Sequence, residues 1–303
     1  MAGPADVEVR EVGPRDGLQG RPGPSVPVPL RVALVRRLVA AGVTRVEAGS
    51  FVSERAVPQM AGTDAVLEAT ADLRGFVEVL VVNERGARAA VEAPCAGVLA
   101  VVAATDAFSA RNVRSTRAEA LAAARAIAGV AKGARRRCTA NVAVAFGCPD
   151  DGRVPIAQVV DVAEALFEMG FEQVYLSDTI GVADPCTVRS LVSAVADAVP
   201  IERVGLHLHD TRGLAVANTY AALELGVRRF DASIGGIGGC PFAPGATGNV
   251  ATEDLVHLFD RMGLTSGIDL DPLVETARWL ERSLDEELPG HVMHAGRWRG
   301  ATA

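Results

Sequence analysis

Residues 171–210 read Phe171-Glu-Gln-Val-Tyr-Leu-Ser-Asp178-Thr-Ile-Gly-Val-Ala-Asp184-Pro-Cys-Thr-Val-Arg-Ser-Leu-Val-Ser-Ala-Val-Ala-Asp-Ala-Val199-Pro-Ile-Glu-Arg203-Val-Gly-Leu-His207-Leu-His209-Asp210. The apolar run Gln173–Leu176 reads as a strand. A helical pattern follows over Pro185–Val199, with Asp184 as N-cap and a proline in the first turn, and Arg203–Leu208 reads as a second strand. The chain repeats this strand–helix–strand unit. Working outward, further strands are expected at Val7–Val12, Thr44–Ala48, Phe76–Val82, Gly97–Ala103, Cys138–Phe146 and Phe230–Ser233, which makes eight. Helical patterns cover Val28–Ala41, Ser115–Val130, Pro155–Met169, Thr211–Leu225, Asn249–Met262 and Leu273–Leu284, several of them ending at a glycine. Eight such units predict a single-domain α/β fold, a (β/α)8 TIM barrel. An open doubly wound sheet would need a phosphate fingerprint after its first strand, and Gly13-Pro-Arg-Asp-Gly17 is not one. The barrel is expected over about 7–265, with a short C-terminal helical extension and a less ordered tail over 266–303. A mobile glycine-rich loop is expected after strand eight.

Composition narrows the function. The 303 residues are 49% hydrophobic and 22% charged, with a formal net charge of −7. Such a chain is globular, and acidic enough to argue against nucleic acid as a partner. No apolar run reaches the roughly 18 residues that span a bilayer, and the N-terminus reads as no signal peptide. The five cysteines are scattered with no C-x-x-C, which suits a reducing cytoplasm. Cys95 and Cys186 read as helix-packing residues and Cys138 as barrel core. Lys132 is the only lysine and precedes a strand, the wrong end of a barrel for Schiff-base chemistry.

Active sites of such barrels lie at the carboxyl ends of the strands. Ionisable groups crowd that rim: Arg15-Asp16 after strand one, Glu47 at strand two, Asp178-Thr179 at strand six, and His207-Leu-His209-Asp210 at strand seven. Residues i and i+2 of a strand face one side, so His207 and His209 converge. With Asp16 they make a two-His, one-carboxylate set suited to Mg²⁺ or Mn²⁺, or to Zn²⁺ or Fe²⁺. The alternative is a core histidine beside a rim hydrogen-bonder. Arg15 reads either as a solvated partner of Asp16 or as an electrophile for a developing oxyanion. A buried Glu47 demands a metal or an arginine partner. Cys240, in Gly235-Gly-Ile-Gly-Gly-Cys240-Pro, is either a reactive thiol on a lid or a small residue in a tight turn. Arg297 and Arg299 are conceivable phosphate contacts or part of a solvated basic tail.

In order and spacing, Glu11-Val-Gly-Pro-Arg-Asp-Gly-Leu-Gln19, Val46-Glu-Ala-Gly-Ser-Phe-Val-Ser53, Ser177-Asp-Thr-Ile-Gly181, His207-Leu-His-Asp-Thr211, Gly238-Gly-Cys-Pro241 and Gly248-Asn-Val-Ala-Thr-Glu-Asp-Leu255 resemble the 3-hydroxy-3-methylglutaryl-CoA (HMG-CoA) lyase family. The resemblance runs from about Val7 to about Met262. It implies a divalent cation, Mg²⁺ or Mn²⁺, with Asp16, His207, His209 and Asn249 as ligands, and no organic cofactor. It implies Arg15 and Thr179 at the substrate, Cys240 as the catalytic thiol, and Glu47 and Asp178 as acid/base or supporting groups. The implied reaction is retro-Claisen cleavage of HMG-CoA to acetyl-CoA and acetoacetate, a step of leucine degradation and ketone-body formation. A homo-oligomer, dimer or tetramer, is implied as well. The chain departs from the pattern in three places. Asn141 stands where strand five commonly carries tyrosine, Leu208 and Arg212 replace the cysteine and tyrosine of His-Cys-His-Asp-Thr-Tyr-Gly, and Gly49 replaces the threonine of Ala-Thr-Ser-Phe. These bear on the acyl group and leave open a related substrate such as citramalyl-CoA, or a Claisen-type synthase.

Overall fold

The computed structural model describes residues 5–21, 26–239 and 248–299. Eight parallel strands close into a barrel in chain order: β1 (Glu8–Glu11), β2 (Arg45–Phe51), β3 (Val77–Val81), β4 (Gly97–Ala103), β5 (Arg137–Ala143), β6 (Gln173–Asp178), β7 (Val204–Leu208) and β8 (Arg229–Ala232). β1 pairs with both β2 and β8, and Arg10 lies opposite Asp231 across the closing seam. Around the barrel run α1 (Val28–Ala40), α2 (Thr63–Ala69), α3 (Glu84–Glu92), α4 (Asp106–Val113), α5 (Arg117–Gly133), α6 (Ile156–Glu168), α7 (Pro185–Ala196), α8 (Ala215–Glu224), α9 (Thr252–Met262), α10 (Leu270–Leu284) and α11 (His291–Ala295). The (β/α)8 architecture is the one expected. Among the described residues no helix is long and apolar enough to cross a membrane.

The helices dock by apolar stripes at three- and four-residue spacing. α6 buries Val159, Val162, Ala163 and Leu166, and α7 buries Val188, Leu191, Val192 and Val195. Asp184 caps α7 as read, accepting the amides of Cys186 and Thr187. Other boundaries moved for local reasons. β5 stops at Ala143 because Val144 takes φ 54°, a conformation no strand continues through. The helix expected from Thr211 begins at Ala215, whose N–H donates to the Asp210 carboxylate. Cys186, expected to pack, is exposed. The tail is better anchored than its composition suggests. Asp254 accepts the amides of His291 and Val292 at the start of α11. Arg297 sits 3.4–3.6 Å from Asp260, Asp269 and Asp271, and Arg299 donates to Asp271. Both arginines pair with aspartates of their own chain.

The barrel interior is ionic. Arg10 of β1 donates to Thr139 and Asn141 of β5, the opposite strand, so it crosses the lumen. Arg45 of β2 reaches Gln173 and Tyr175 of β6 in the same way. Arg45 forks onto Glu78 at 2.9 and 2.8 Å, Glu78 lies 4.0 Å from Arg10, and Arg10 forks onto Asp231 at 2.8 and 2.7 Å. The Arg10 guanidinium also stacks 4.1 Å above the Tyr175 ring. That ring fits only because residue 205 is glycine, where a Cβ would stand 2.5 Å from it. Barrels of this kind usually fill the lumen with layered Val, Ile and Leu. A ladder of buried pairs adds little net stability, but removing one partner costs about 3–5 kcal/mol.

Candidate active site

After β1 the chain folds into a π-helical turn, Gly13–Gly17. The Val12 carbonyl accepts the amides of Arg15, Asp16 and Gly17, and this tight winding sets Arg15 and Asp16 side by side at the barrel mouth. His207 projects inward from β7. His209, two residues on, pairs by an isolated antiparallel bridge with Asn249. The two imidazole centroids are 5.2 Å apart.

Asp16 and the two histidines each turn one ligand atom to a common point, all within 4.8 Å of one another. His207 Nε2 and His209 Nε2 both lie 3.8 Å from Asp16 Oδ2, too far for hydrogen bonds and close enough to share an ion. Asn249 Nδ2 donates to the same oxygen at 2.8 Å. Among the described residues, Asn249 Oδ1 and His209 Nδ1 are buried without a partner. Convergent oxygen and nitrogen donors with an orphaned acceptor fit a divalent cation. Charge agrees with this. Burial alone would push Asp16 up, but Arg15 and the two imidazoles outweigh it and hold the carboxyl well below its usual range. Burial, reinforced by the neighbouring His207, pulls His209 down to about 4. Asp16 is therefore a carboxylate and His209 a neutral imidazole near pH 7, the forms that ligate.

Arg15 is a buried residue and not half of a solvated pair. Its Nε and Nη2 donate to Glu47 at 2.7 and 2.8 Å, and Nη1 donates to Asp16 Oδ1 at 2.6 Å. Glu47 thus has the arginine partner that its burial demands. Two of the five guanidinium N–H groups stay uncommitted among the described residues. Both Asp178 oxygens accept backbone amides, from Val182 and Ala183 at 2.9 Å each, so this carboxylate shapes the turn after β6. Burial pushes its carboxyl up. The Thr179 hydroxyl accepts the Val144 N–H at the end of β5. Cys240 lies outside the described residues. Arg212 points away from a free role, donating to the carbonyls of Ile180 and Gly181.

Two participants were missed by sequence reasoning. Asp231 Oδ2 lies 3.1 Å from His207 Nδ1, and Arg10 holds that same oxygen. The signal was available, because a charged residue inside an apolar strand, as in Val9-Arg10 or Phe230-Asp231-Ala232, must find a buried partner. Asn141 joins them, accepting from Arg10 at 3.0 Å and donating to Asp231 at 3.4 Å.

Comparison with known proteins places this mouth in a wider group. A family model described as HMGL-like matches residues 6–280. An (R)-citramalyl-CoA lyase of Chloroflexus aurantiacus is 44% identical, over 96% of this chain and 95% of the relative. A hydroxymethylglutaryl-CoA lyase of Pseudomonas mevalonii is 42% identical over 89% of each chain. The fold superposes with a TM-score of 0.91 on an HMG-CoA lyase of Acinetobacter baumannii, solved with coenzyme A and 3-methylmalate, at 37% identity over 100% and 99% of the two chains.

Proposed function

Given that the chain belongs to the HMGL-like family and is a carbon–carbon lyase, we propose that it cleaves HMG-CoA to acetyl-CoA and acetoacetate by a metal-assisted retro-Claisen reaction. The observation that carries this reading is the convergence of Asp16, His207 and His209 beside a buried arginine. A magnesium or manganese ion held by these three and Asn249 would make the substrate's 3-hydroxyl more acidic, and Asp178 on the same rim would take its proton. The C2–C3 electrons then flow into the thioester. The free N–H groups of Arg15 face the developing enolate oxygen, and one such donor supplies roughly 3–4 kcal/mol. Glu47 acts through Arg15 by fixing the plane of its guanidinium. Asp178 and Thr179 hold the rim on which the acyl group rests. Cys240 delivers the proton that converts the enolate to acetyl-CoA.

A second reading, cleavage of citramalyl-CoA to acetyl-CoA and pyruvate, is favoured by the 44% identity to the Chloroflexus lyase and by Asn141 at strand five. Asn141 reaches sideways to Arg10 and Asp231, so the mouth above it is bounded by a short side chain. Mass spectrometry of products from each CoA ester with Mg²⁺ present separates the two. Acetoacetate from the first supports the leading reading. Pyruvate from the second alone moves the assignment to citramalyl-CoA, and no product from either refutes both.

A further inference from the structure

The two histidines at the mouth are held differently. His207 Nδ1 lies 3.1 Å from Asp231 Oδ2, whereas His209 Nδ1 is buried with no partner among the described residues. Asp231 is itself locked. Its Oδ1 accepts from Arg10 Nε at 2.8 Å, and its Oδ2 accepts from Arg10 Nη2 at 2.7 Å and from Asn141 Nδ2 at 3.4 Å. Arg10 is pinned in turn by Thr139 and by Asn141 Oδ1, whose acceptance of an Arg10 N–H leaves Asn141 Nδ2 to face Asp231. A carboxylate that meets donors on both oxygens has no proton to offer. The group facing it across 3.1 Å must therefore be the donor, and His207 must carry its proton on Nδ1.

We propose that Asp231, clamped by Arg10 and Asn141, is a positioning residue that fixes the neutral His207 ring as the Nδ1–H tautomer and so leaves Nε2 as the nitrogen that faces Asp16 and an arriving ion. His209, with nothing on its far nitrogen, is the adaptable member of the pair. The inference rests on the reading of Asp16, His207 and His209 as metal ligands, and it adds an order to them: one imidazole is set in advance and the other adjusts. It also gives the strand-five asparagine a task, since its amide supplies one contact to Arg10 and one to Asp231. Carboxylates behind ligating histidines commonly change metal affinity 10- to 100-fold when removed.

The test is ¹⁵N NMR of histidine-labelled, metal-free protein, brought to the pH at which the His207 ring is neutral, together with Mn²⁺ titration followed by electron paramagnetic resonance. The expected spectrum shows the His207 proton on Nδ1, against the Nε2–H preference of free histidine in water. Asp231→Asn should bind Mn²⁺ 10- to 100-fold more weakly than the unaltered protein. Asp231→Glu, which keeps an acceptor facing the ring, should recover part of the loss. A proton on Nε2 of His207 overturns the proposal. So does an Asp231→Asn protein that melts normally and binds Mn²⁺ within threefold of the unaltered chain. If Asp231→Asn does not fold, the spectrum of the unaltered protein decides. Should that protein bind no Mn²⁺ while His207 carries its proton on Nδ1, the lyase reading fails and the tautomer assignment stands.

Discussion

Replacing Glu253 with glutamine should free the fold from a penalty that grows with pH. Glu253 lies in the first turn of α9, fully buried, with Oε2 accepting the Gly235 N–H at 3.0 Å and Oε1 without a partner among the described residues. Burial, and after it the charge of Asp254, push its carboxyl from 4.5 up to about 8. The folded chain therefore keeps this proton to about pH 8, while the unfolded chain releases it near 4.5. The stabilising contribution is whole below pH 4.5, declines through the interval and is gone above 8. At 1.36 kcal/mol per pH unit the total is on the order of 5 kcal/mol. Glutamine is neutral throughout, so the variant should come nearest the unaltered protein at the acid end of the range and exceed it progressively above. With roughly 2 °C per kcal/mol for a chain of this size, the difference in Tm near pH 8.5 should be of order 5–10 °C. Glu11, raised to about 7 chiefly by burial, pulls in the same direction in both proteins, and its charge adds to the upward push on Glu253, so part of the difference is a coupling that the variant relieves. Melts followed by circular dichroism from pH 5 to 9, with chelator present so that metal linkage does not enter, make the comparison. Parallel Tm curves for the two proteins would refute the reasoning.

Asp16→Ala should abolish Mn²⁺ binding and lower turnover at least 10³-fold, read by calorimetric titration and acetyl-CoA release. Arg15→Lys keeps the charge but loses the fork onto Glu47 at 2.7 and 2.8 Å, so kcat should fall about 10²–10³-fold with a smaller change in KM. Prolonged chelation should remove activity, and Mg²⁺ or Mn²⁺ should restore it without refolding. Gly49→Ala places a Cβ 2.6 Å from Thr63 Oγ1 and 2.7 Å from Arg31 Nη2, and should cost about 1–3 kcal/mol in urea melts. Combined with Arg31→Met, its cost should fall short of the sum of the two single changes, because part of the clash is with that guanidinium and the remainder, with Thr63, persists.

The barrel was legible because eight strand–helix units alternate along the chain and the open-sheet alternative lacked its phosphate fingerprint. The convergence of Asp16, His207 and His209 was legible because the two histidines are two apart on a strand and Asp16 follows another strand end. What escaped was mostly the identity of distant partners. Short helices such as α3 bury only small residues, Gly86, Ala87 and Ala90, and start at one capping contact, Asn83 accepting the Gly86 N–H. Whether Arg15 was solvated or sunk depended on Glu47, 32 positions away. Arg10 and Asp231 are 221 positions apart, and no spacing rule connects them before the barrel closes. Gly49 looked like a lapse from a family pattern. It is room made for Thr63 and for Arg31, which donates to the Ala48 and Ala61 carbonyls behind β2.

The run of alternating charges along the lumen, from Arg45 and Glu78 through Arg10 and Asp231 to His207, joins the two ends of this barrel electrically. In most proteins of this shape the floor can be redesigned for hardiness while the top is left to its chemistry. Here an engineer who swaps a floor arginine for leucine also retunes the field at the far opening. Grafting this catalytic rim onto another eight-stranded scaffold would then require transplanting the axle along with the crown.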